Sequence, residues 1–330
     1  MGTAGCSHNG SCFAAVFLCS FSAANSPTKK RFEEKIKKEY EIKLLTNEDA
    51  EYMEERIDEF DDAVLPPEPG APEDEELILK VADEDGNTIA AFVAMIYTWG
   101  QLDDITMWVD EAYRRQGLGS MLLREAEHIA KERGCYLSLL ETFDFQAKGF
   151  CDKHGYSVCA EQGRSKGPTR YYMCKHLDKD LPDYMPKNNS AQKRFEIRRG
   201  TEEDVDLIFE NLDEFNDSVV PPLHEYIRLN KKLVDRDGNM IAGIMAGIGG
   251  WDDGYVHLLW VDEPYRGQGL ASYLLKECER EARENGADAL FVYARDWVAD
   301  FYVKHGFTEY GAAEDFPKGH RSCRLKKLLQ

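Results

Sequence analysis

Residues 108–120 read WVDEAYRRQGLGS, and residues 260–272 read WVDEPYRGQGLAS. Two blocks this similar mark an internal repeat, and the match extends outward from them. Trp99 and Trp251 stand nine residues before their blocks, and Asp85-Gly86-Asn87 matches Asp237-Gly238-Asn239. Further upstream, Asp58-Glu59-Phe60 before Pro66-Pro67 matches Asp213-Glu214-Phe215 before Pro221-Pro222. Downstream, Lys153-His154-Gly155-Tyr156 matches Lys304-His305-Gly306-Phe307. The offset stays close to 152 residues, so the chain carries two copies of one domain; solenoid units are shorter and more numerous. With 330 residues there is chain enough for two cores. Copy one is assigned to residues 40–177 and copy two to 194–330. Between them, residues 178–193 are polar with two prolines and read as a linker, and residues 1–39 form a leader with a charged lead-in.

Each copy reads as mixed α/β. Glu41 to Leu45 and Glu196 to Arg198 have strand character, and Asn47 or Thr201 then caps a helix that runs to the Pro-Pro pair. Glu76–Ala82 with Thr88–Tyr97, and Leu229–Val234 with Met240–Gly247, are hairpins turning at Asp-Gly-Asn. Asp103–Val109 and Tyr255–Val261 are the next strands, each leading through a glycine-rich turn into a helix. In copy one that helix carries a 3.6-period stripe of Leu118, Met121, Leu122, Ala126, Ile129 and Ala130. Gly134 and Asn285-Gly286 supply the stops. A strand, a short helix and two more strands complete each copy.

A strand followed by Arg-x-x-Gly-x-Gly/Ala opening a helix suits a phosphate group. The first helical turn has N–H groups without intrahelical partners and a partial positive charge, and glycines allow close backbone approach. Arg114, Gly117 and Ser120 form one such turn and Arg266, Gly269 and Ser272 the other. Neither completes the G-x-G-x-x-G of a dinucleotide fold, because Leu122 and Ser272 stand where the third glycine belongs, and no Walker Gly-Lys-Ser/Thr is present.

W-V-D-E-x-Y-R-x-Q-G-L-G/A, joined to Phe301-Tyr302-Val303-Lys304-His305-Gly306-Phe307, resembles the GNAT superfamily of N-acetyltransferases, and the resemblance covers both copies. It implies an α/β (α+β) fold made of two tandem acyl-CoA N-acyltransferase domains, each a mixed, mostly antiparallel sheet flanked by helices. Acetyl-CoA would be the cofactor, held where two central strands splay apart. The implied cofactor-binding residues are Val109, Arg114, Arg115, Gln116, Gly117, Leu118, Gly119 and Ser120 in copy one. In copy two they are Val261, Arg266, Gly267, Gln268, Gly269, Leu270, Ala271 and Ser272. More narrowly, both copies are similar to a bacterial-type branch of small-molecule acetyltransferases with T-F-S-F-Q-A and F-P-x-G-H. Copy one keeps Thr142-Phe143-Asp144-Phe145-Gln146-Ala147, and copy two keeps Phe316-Pro317-Lys318-Gly319-His320.

Acyl transfer to an amine needs a neutral amine, a stabilised oxyanion and a proton for the leaving thiolate. By the resemblance, Tyr302 supplies that proton, its phenol (ordinary pKa about 10) being protonated at neutral pH. Copy one has Cys151 there, a shorter side chain and weaker donor, with Tyr156 as a substitute. Copy two is therefore expected to be the active unit. For the base, period-two alternation puts Tyr255, His257 and Leu259 on one strand face, with His257 able to take the ammonium proton. Asp103 is the counterpart in copy one, and His320 is a further candidate on the substrate side.

Net charge is −20, which argues against nucleic acid and anionic membrane as partners and permits a cationic acceptor. Between Glu41 and Asp85, eighteen Asp/Glu face three Lys/Arg. Nine cysteines without CxxC or metal-ligand spacing read as reduced thiols, with no metal site. No apolar run is long enough to span a membrane, and a cytoplasmic protein is expected. Gly2 invites a lipid-anchor reading, but Cys6 stands where Ser or Thr is preferred. The expected function is acetyl-CoA-dependent acetylation of a small-molecule primary amine. The alternatives are a protein lysine or N-terminal acetyltransferase, or a non-catalytic acyl-CoA-binding module. One copy packed on the other as a pseudo-dimer would leave the chain a monomer.

Overall fold

Residues 34, 36, 38–67, 74–163, 166–179 and 194–329 are described in a computed structural model. The leader's lipid reading and most of the linker lie outside them. The strands are β1 (Glu41–Leu44), β2 (Glu75–Ala82), β3 (Thr88–Tyr97), β4 (Gln101–Val109), β5 (Leu137–Phe143), β6 (Ser157–Gln162), β7 (Arg170–His176) and β8 (Arg198–Arg199). They continue as β9 (Ile227–Arg228), β10 (Lys231–Val234), β11 (Met240–Ile248), β12 (Asp253–Val261), β13 (Ala289–Arg295), β14 (Thr308–Glu314) and β15 (Arg321–Leu328). The α-helices are α1 (Asn47–Val64), α2 (Leu118–Glu132), α3 (Lys148–Lys153), α4 (Glu202–Val219), α5 (Leu270–Glu284) and α6 (Asp296–Lys304).

Two compact units form, and they cross the repeat boundaries. Unit 1 comprises Pro67–Pro221 and Phe316–Lys318; unit 2 takes the described residues up to Pro66, Pro222–Asp315 and the stretch from Gly319 onward. The sheet of unit 1 runs β8-β2-β3-β4-β5-β7-β6, and that of unit 2 runs β1-β10-β11-β12-β13-β15-β14 with β9 on β11. In each, one pair is parallel, β4 with β5 and β12 with β13, and the others are antiparallel. Ranges 40–177 and 194–330 thus describe copies in sequence, while the packed bodies exchange their opening strand and helix.

The exchange is built from the same residues twice. β1 pairs with β10 (Ile42 opposite Leu233), and Met53 and Ile57 of α1 bury against Leu258 and Trp260 of β12. β8 pairs with β2 (Arg199 opposite Leu79), and Val205 and Ile208 of α4 bury against Ala91 and Val93. Each buried side chain of this size contributes about 1.5–3 kcal/mol. Thr46 and Thr201 start these helices with capping boxes to Asp49 and Asp204. Thr46, not Asn47, is the cap, because its side chain accepts the Asp49 N–H and the Asp49 carboxylate reaches back. The same two carboxylates dock each helix on the other repeat's hairpin: Lys232 Nζ lies 2.5 Å from Asp49 Oδ2, and Lys80 Nζ 2.9 Å from Asp204 Oδ2.

On the opposite face of each sheet lies the helix that follows the glycine turn. α5 buries Leu270, Leu274, Leu275, Cys278 and Ala282 against Leu259 and Val261 of β12, and α2 does likewise with Leu118, Leu122, Ala126 and Ala130. The six cysteines among the described residues are free thiols. No group of metal-ligating side chains occurs among the described residues, and none of their helices is long and apolar enough to cross a membrane.

Candidate active site

The site begins where two parallel strands part. β12 and β13 pair from Asp253 opposite Ala289 to Val256 opposite Val292 and no further, while β13 stays paired with β15 as far as Arg295. At the parting point β12 bulges. Met245 faces Leu258 and Ala246 faces Val256, so His257 is an extra residue. The bulge resets the alternation: Val256, Leu259 and Val261 enter the core under α5, whereas Leu258 and Trp260 pack under α1. Leu259 therefore does not share a face with Tyr255 and His257, as strict period two had it. Tyr255 and His257 stay together, half-buried, with stacked rings 6.1 Å apart. His257 Nε2 lies 3.0 Å from Tyr226 Oη, a partner that no motif in the sequence announced. In unit 1 the split comes earlier, after Leu102 opposite Ser138, and Asp103 is buried with a carboxylate accepting the Asp104 N–H.

Beyond the split strands come the glycine turns. Gly117 and Gly269 stand at the helix N-caps with left-handed φ of 98° and 79°, a conformation that glycine adopts without a Cβ clash. Neither helix has a side-chain cap, in contrast to the capping boxes of α1 and α4. The first-turn N–H groups of Leu118, Gly119 and Ser120, and of Leu270, Ala271 and Ser272, are thus left to an external acceptor. Arg114 and Arg266 fold back so that Nε donates to Val109 O (2.9 Å) and Val261 O (3.0 Å). The Arg266 guanidinium lies 4.7 Å over the Trp260 ring. Gln116 and Gln268 brace the turns through Ala112 O and Pro264 O. Arg115 and Gly267 share the left-handed position at φ 65° and 73°. The Leu118 and Leu270 side chains lie in the cores, so only their backbones face the turn.

The two serines have another task. His305 Nδ1 lies 2.7 Å from Phe301 O and its Nε2 2.8 Å from Ser272 Oγ; His154 repeats this with Phe150 O (2.9 Å) and Ser120 Oγ (3.0 Å). A carbonyl only accepts, so Nδ1 carries the proton and Nε2 must accept from the serine hydroxyl. Burial lowers both histidine pKa values, favouring this neutral form. The Ser120 and Ser272 hydroxyl protons are committed to the imidazoles. The sequence already showed this histidine in both copies, in Lys-His-Gly, without revealing its partner.

Tyr302 is fully buried on α6 among Phe301, Phe307 and Cys278, and its hydroxyl has no hydrogen-bond partner among the described residues. Burial holds the phenol well above its ordinary pKa. A buried hydroxyl without a partner is costly, and the sulfur of a bound thioester would supply one. With the uncapped helix and the parted strands, unit 2 has residues that fit acetyl-CoA. In unit 1, Cys151 is also buried, its thiol pushed up to about 12 by desolvation. Tyr156 does not replace Tyr302 there: its hydroxyl is bound to Ser138 Oγ at 2.7 Å and burial raises its pKa.

Near the start of α6, His320 Nδ1 lies 3.2 Å from Asp296 Oδ1, and its ring meets Trp297 edge-on at 5.0 Å. The Trp297 indole N–H donates to Asp61 Oδ1 at 3.2 Å. Parted strands, an uncapped glycine turn and a buried phenol together define an acyl-CoA-dependent transferase.

Comparison with known proteins agrees. The acetyltransferase (GNAT) family model matches residues 37–156 and 192–307, and the chain belongs to that family, whose members transfer acetyl groups from acetyl-CoA. The acetyltransferase Atu2258 of Agrobacterium fabrum is 33% identical over 124 residues, which is 37% of this chain and 84% of that protein. Blasticidin-S acetyltransferase of Streptomyces morookaense is 46% identical over 63 residues, covering 19% of this chain and just under half (46%) of that protein. Among solved structures, an acetyltransferase from Bacillus cereus is 36% identical over 40% of this chain and 93% of its own, with a TM-score of 0.35.

Proposed function

We propose that unit 2 acetylates a primary amine of a small cationic molecule, with Tyr302 as the proton donor. The observation that carries this reading is the buried, unpartnered Tyr302 hydroxyl. Acetyl-CoA, when bound, supplies the acetyl group and leaves as a thiol. The N–H groups of Leu270, Ala271 and Ser272 would hold its phosphates through backbone contacts, with Gly267, Gln268 and Gly269 shaping the turn. Tyr302 keeps its proton until a thiolate is present beside Oη, since burial disfavours the free phenolate. His257, at the bulge and hydrogen-bonded to Tyr226, takes the proton from the acceptor's ammonium, and Tyr255 flanks it. The match to a protein named for blasticidin S supports including that compound in an acceptor screen.

Tyr302→Phe keeps the ring and removes the proton. The expected result is turnover reduced by a factor on the order of 100 or more, with acetyl-CoA affinity within about threefold of wild type. Unchanged turnover would remove Tyr302 from this role.

A second reading applies to unit 1: an acyl-CoA-binding unit that does not catalyse. Its glycine turn is intact, while Cys151 is buried with a weakly acidic thiol. Calorimetry should then find two acetyl-CoA sites per chain, and Tyr302→Phe should leave both while cutting turnover by a factor on the order of 100 or more.

A further inference from the structure

The acid-rich helix of the first repeat, α1, belongs to unit 2 and packs under β12. It carries nine Asp/Glu and one Arg, and Asp61 is the only acid it buries, at 4% exposure. Asp61 stands in the last turn, where the helix dipole disfavours a negative charge. It accepts from Trp297 and faces Arg295, itself 3% exposed, at the open end of β13. The pseudo-equivalent place in unit 1 is filled by Asn216 of α4, whose side-chain oxygen accepts from Gln146 at 2.7 Å. The repeat offset aligns Asp61 with Asn216 and Trp297 with Gln146. A neutral side chain of the same shape thus serves where Cys151 replaces the tyrosine, and a buried carboxylate is kept where Tyr302 is present.

We propose that Asp61, delivered by the first repeat, is the acceptor-binding carboxylate of unit 2, and that its ligand is the ammonium group of a cationic amine. This rests on the reading that unit 2 acetylates an amine. It makes the active unit composite: the second repeat holds acetyl-CoA and the proton donor, and the first repeat supplies the countercharge for the acceptor. The groups facing Asp61 are Arg295 and Trp297 from β13 and α6 and Asp62 from its own helix, with Asp296 and His320 beyond the indole. Burial lifts the carboxyl to about 6 against the pull of Arg295, so amine affinity should improve as pH rises through that value.

The test compares wild type, Asp61→Asn and Asn216→Asp in the full chain. Acceptors are spermidine, phenethylamine and blasticidin S, with aniline as an amine uncharged at neutral pH. Asp61→Asn should raise KM for the cationic acceptor at least tenfold, raise it for aniline less than twofold, and leave acetyl-CoA affinity by calorimetry within twofold. It should also erase the change in KM near pH 6. Asn216→Asp should leave every KM unchanged. Equal KM values for wild type and Asp61→Asn, or equal losses with charged and uncharged amines, would overturn Asp61 while leaving Tyr302 chemistry intact. Absence of transfer by wild type with every acceptor would instead overturn the function on which the assignment rests. Direct calorimetry of the amine without acetyl-CoA reads the same affinity if Asp61→Asn lowers turnover for another reason.

Discussion

Units 1 and 2 share a fold, a glycine turn and a Ser-His lock, and they differ at a small set of positions near the parted strands. Unit 1 has Cys151, Gln146 and Asn216; unit 2 has Tyr302, Trp297 and Asp61. In sequence these differences are scattered over both repeats, with Asp61 in the copy lacking the tyrosine. In three dimensions the exchanged helices collect them, because α1 joins unit 2 and α4 joins unit 1. The exchange places one helix of each repeat on the other repeat's sheet, while each glycine turn stays with its own repeat.

The largest test of this difference is Tyr302→Phe, with turnover lost by a factor on the order of 100 or more. Its mirror is Cys151→Tyr, which places a phenol in unit 1. That change should not raise total turnover above about twofold if the acceptor side of unit 1, with Asn216, lacks the countercharge. A large gain would show that the proton donor alone separates the units.

Asp61→Asn comes next, read through stability. Burial raises the folded-state pKa of Asp61 from 3.8 to about 6. Its contribution is therefore fully present below the unfolded value and is lost as pH rises through the folded one. A rise of that size corresponds to about 3 kcal/mol as an upper bound. The asparagine of the variant does not titrate, so the stability difference should swing toward the variant by up to about 3 kcal/mol between about pH 4 and pH 7. Urea unfolding at the two pH values measures this. A difference that does not change with pH would mean that Arg295 compensates the burial fully.

Much of the fold was legible because the repeat prints its elements twice. The Asp-Gly-Asn hairpins, the glycine turns and the stripe on α2 are local patterns set by backbone sterics and periodicity. The helix exchange was not legible. Periodicity tells which face of α1 is apolar, but two near-identical sheets offer that face equivalent homes, and Asp49 and Asp204 find an equivalent lysine on either. The bulge at His257 was hidden for a related reason: Leu258-Leu259-Trp260-Val261 is apolar on both faces, so a slip by one residue leaves no mark in the pattern. Tyr302 was singled out only through the family resemblance, and its burial beside Phe301 and Phe307 was not readable from the motif. Asp61 was one acid among eighteen between Glu41 and Asp85, and only burial singles it out.

The Ser-His lock is common to both units and should be insensitive to their differences. Ser272→Ala leaves the half-buried His305 Nε2 without its donor and should cost about 1 kcal/mol. Because the hydroxyl proton serves the imidazole, acetyl-CoA affinity should change less than threefold by calorimetry. Ser120→Ala should behave the same way. A large loss of affinity in either variant would restore the serine side chain to the cofactor site.

The smallest effect lies at the one glycine-turn position where the units adopt the same strained backbone with different residues. Arg115 and Gly267 have φ of 65° and 73°. A side chain in this region costs about 1 kcal/mol or more, and glycine avoids that at the expense of greater freedom in the unfolded chain. Arg115→Gly should therefore stabilise unit 1 by only about 0.5 kcal/mol, measured by thermal unfolding. If unit 1 binds acetyl-CoA as proposed, the Arg115 guanidinium stands at the turn that would meet the phosphates. The same variant should weaken acetyl-CoA binding to unit 1 about threefold and flatten its salt dependence. A stability gain without loss of binding would make Arg115 a tolerated strain and leave the two turns equivalent as anion sites.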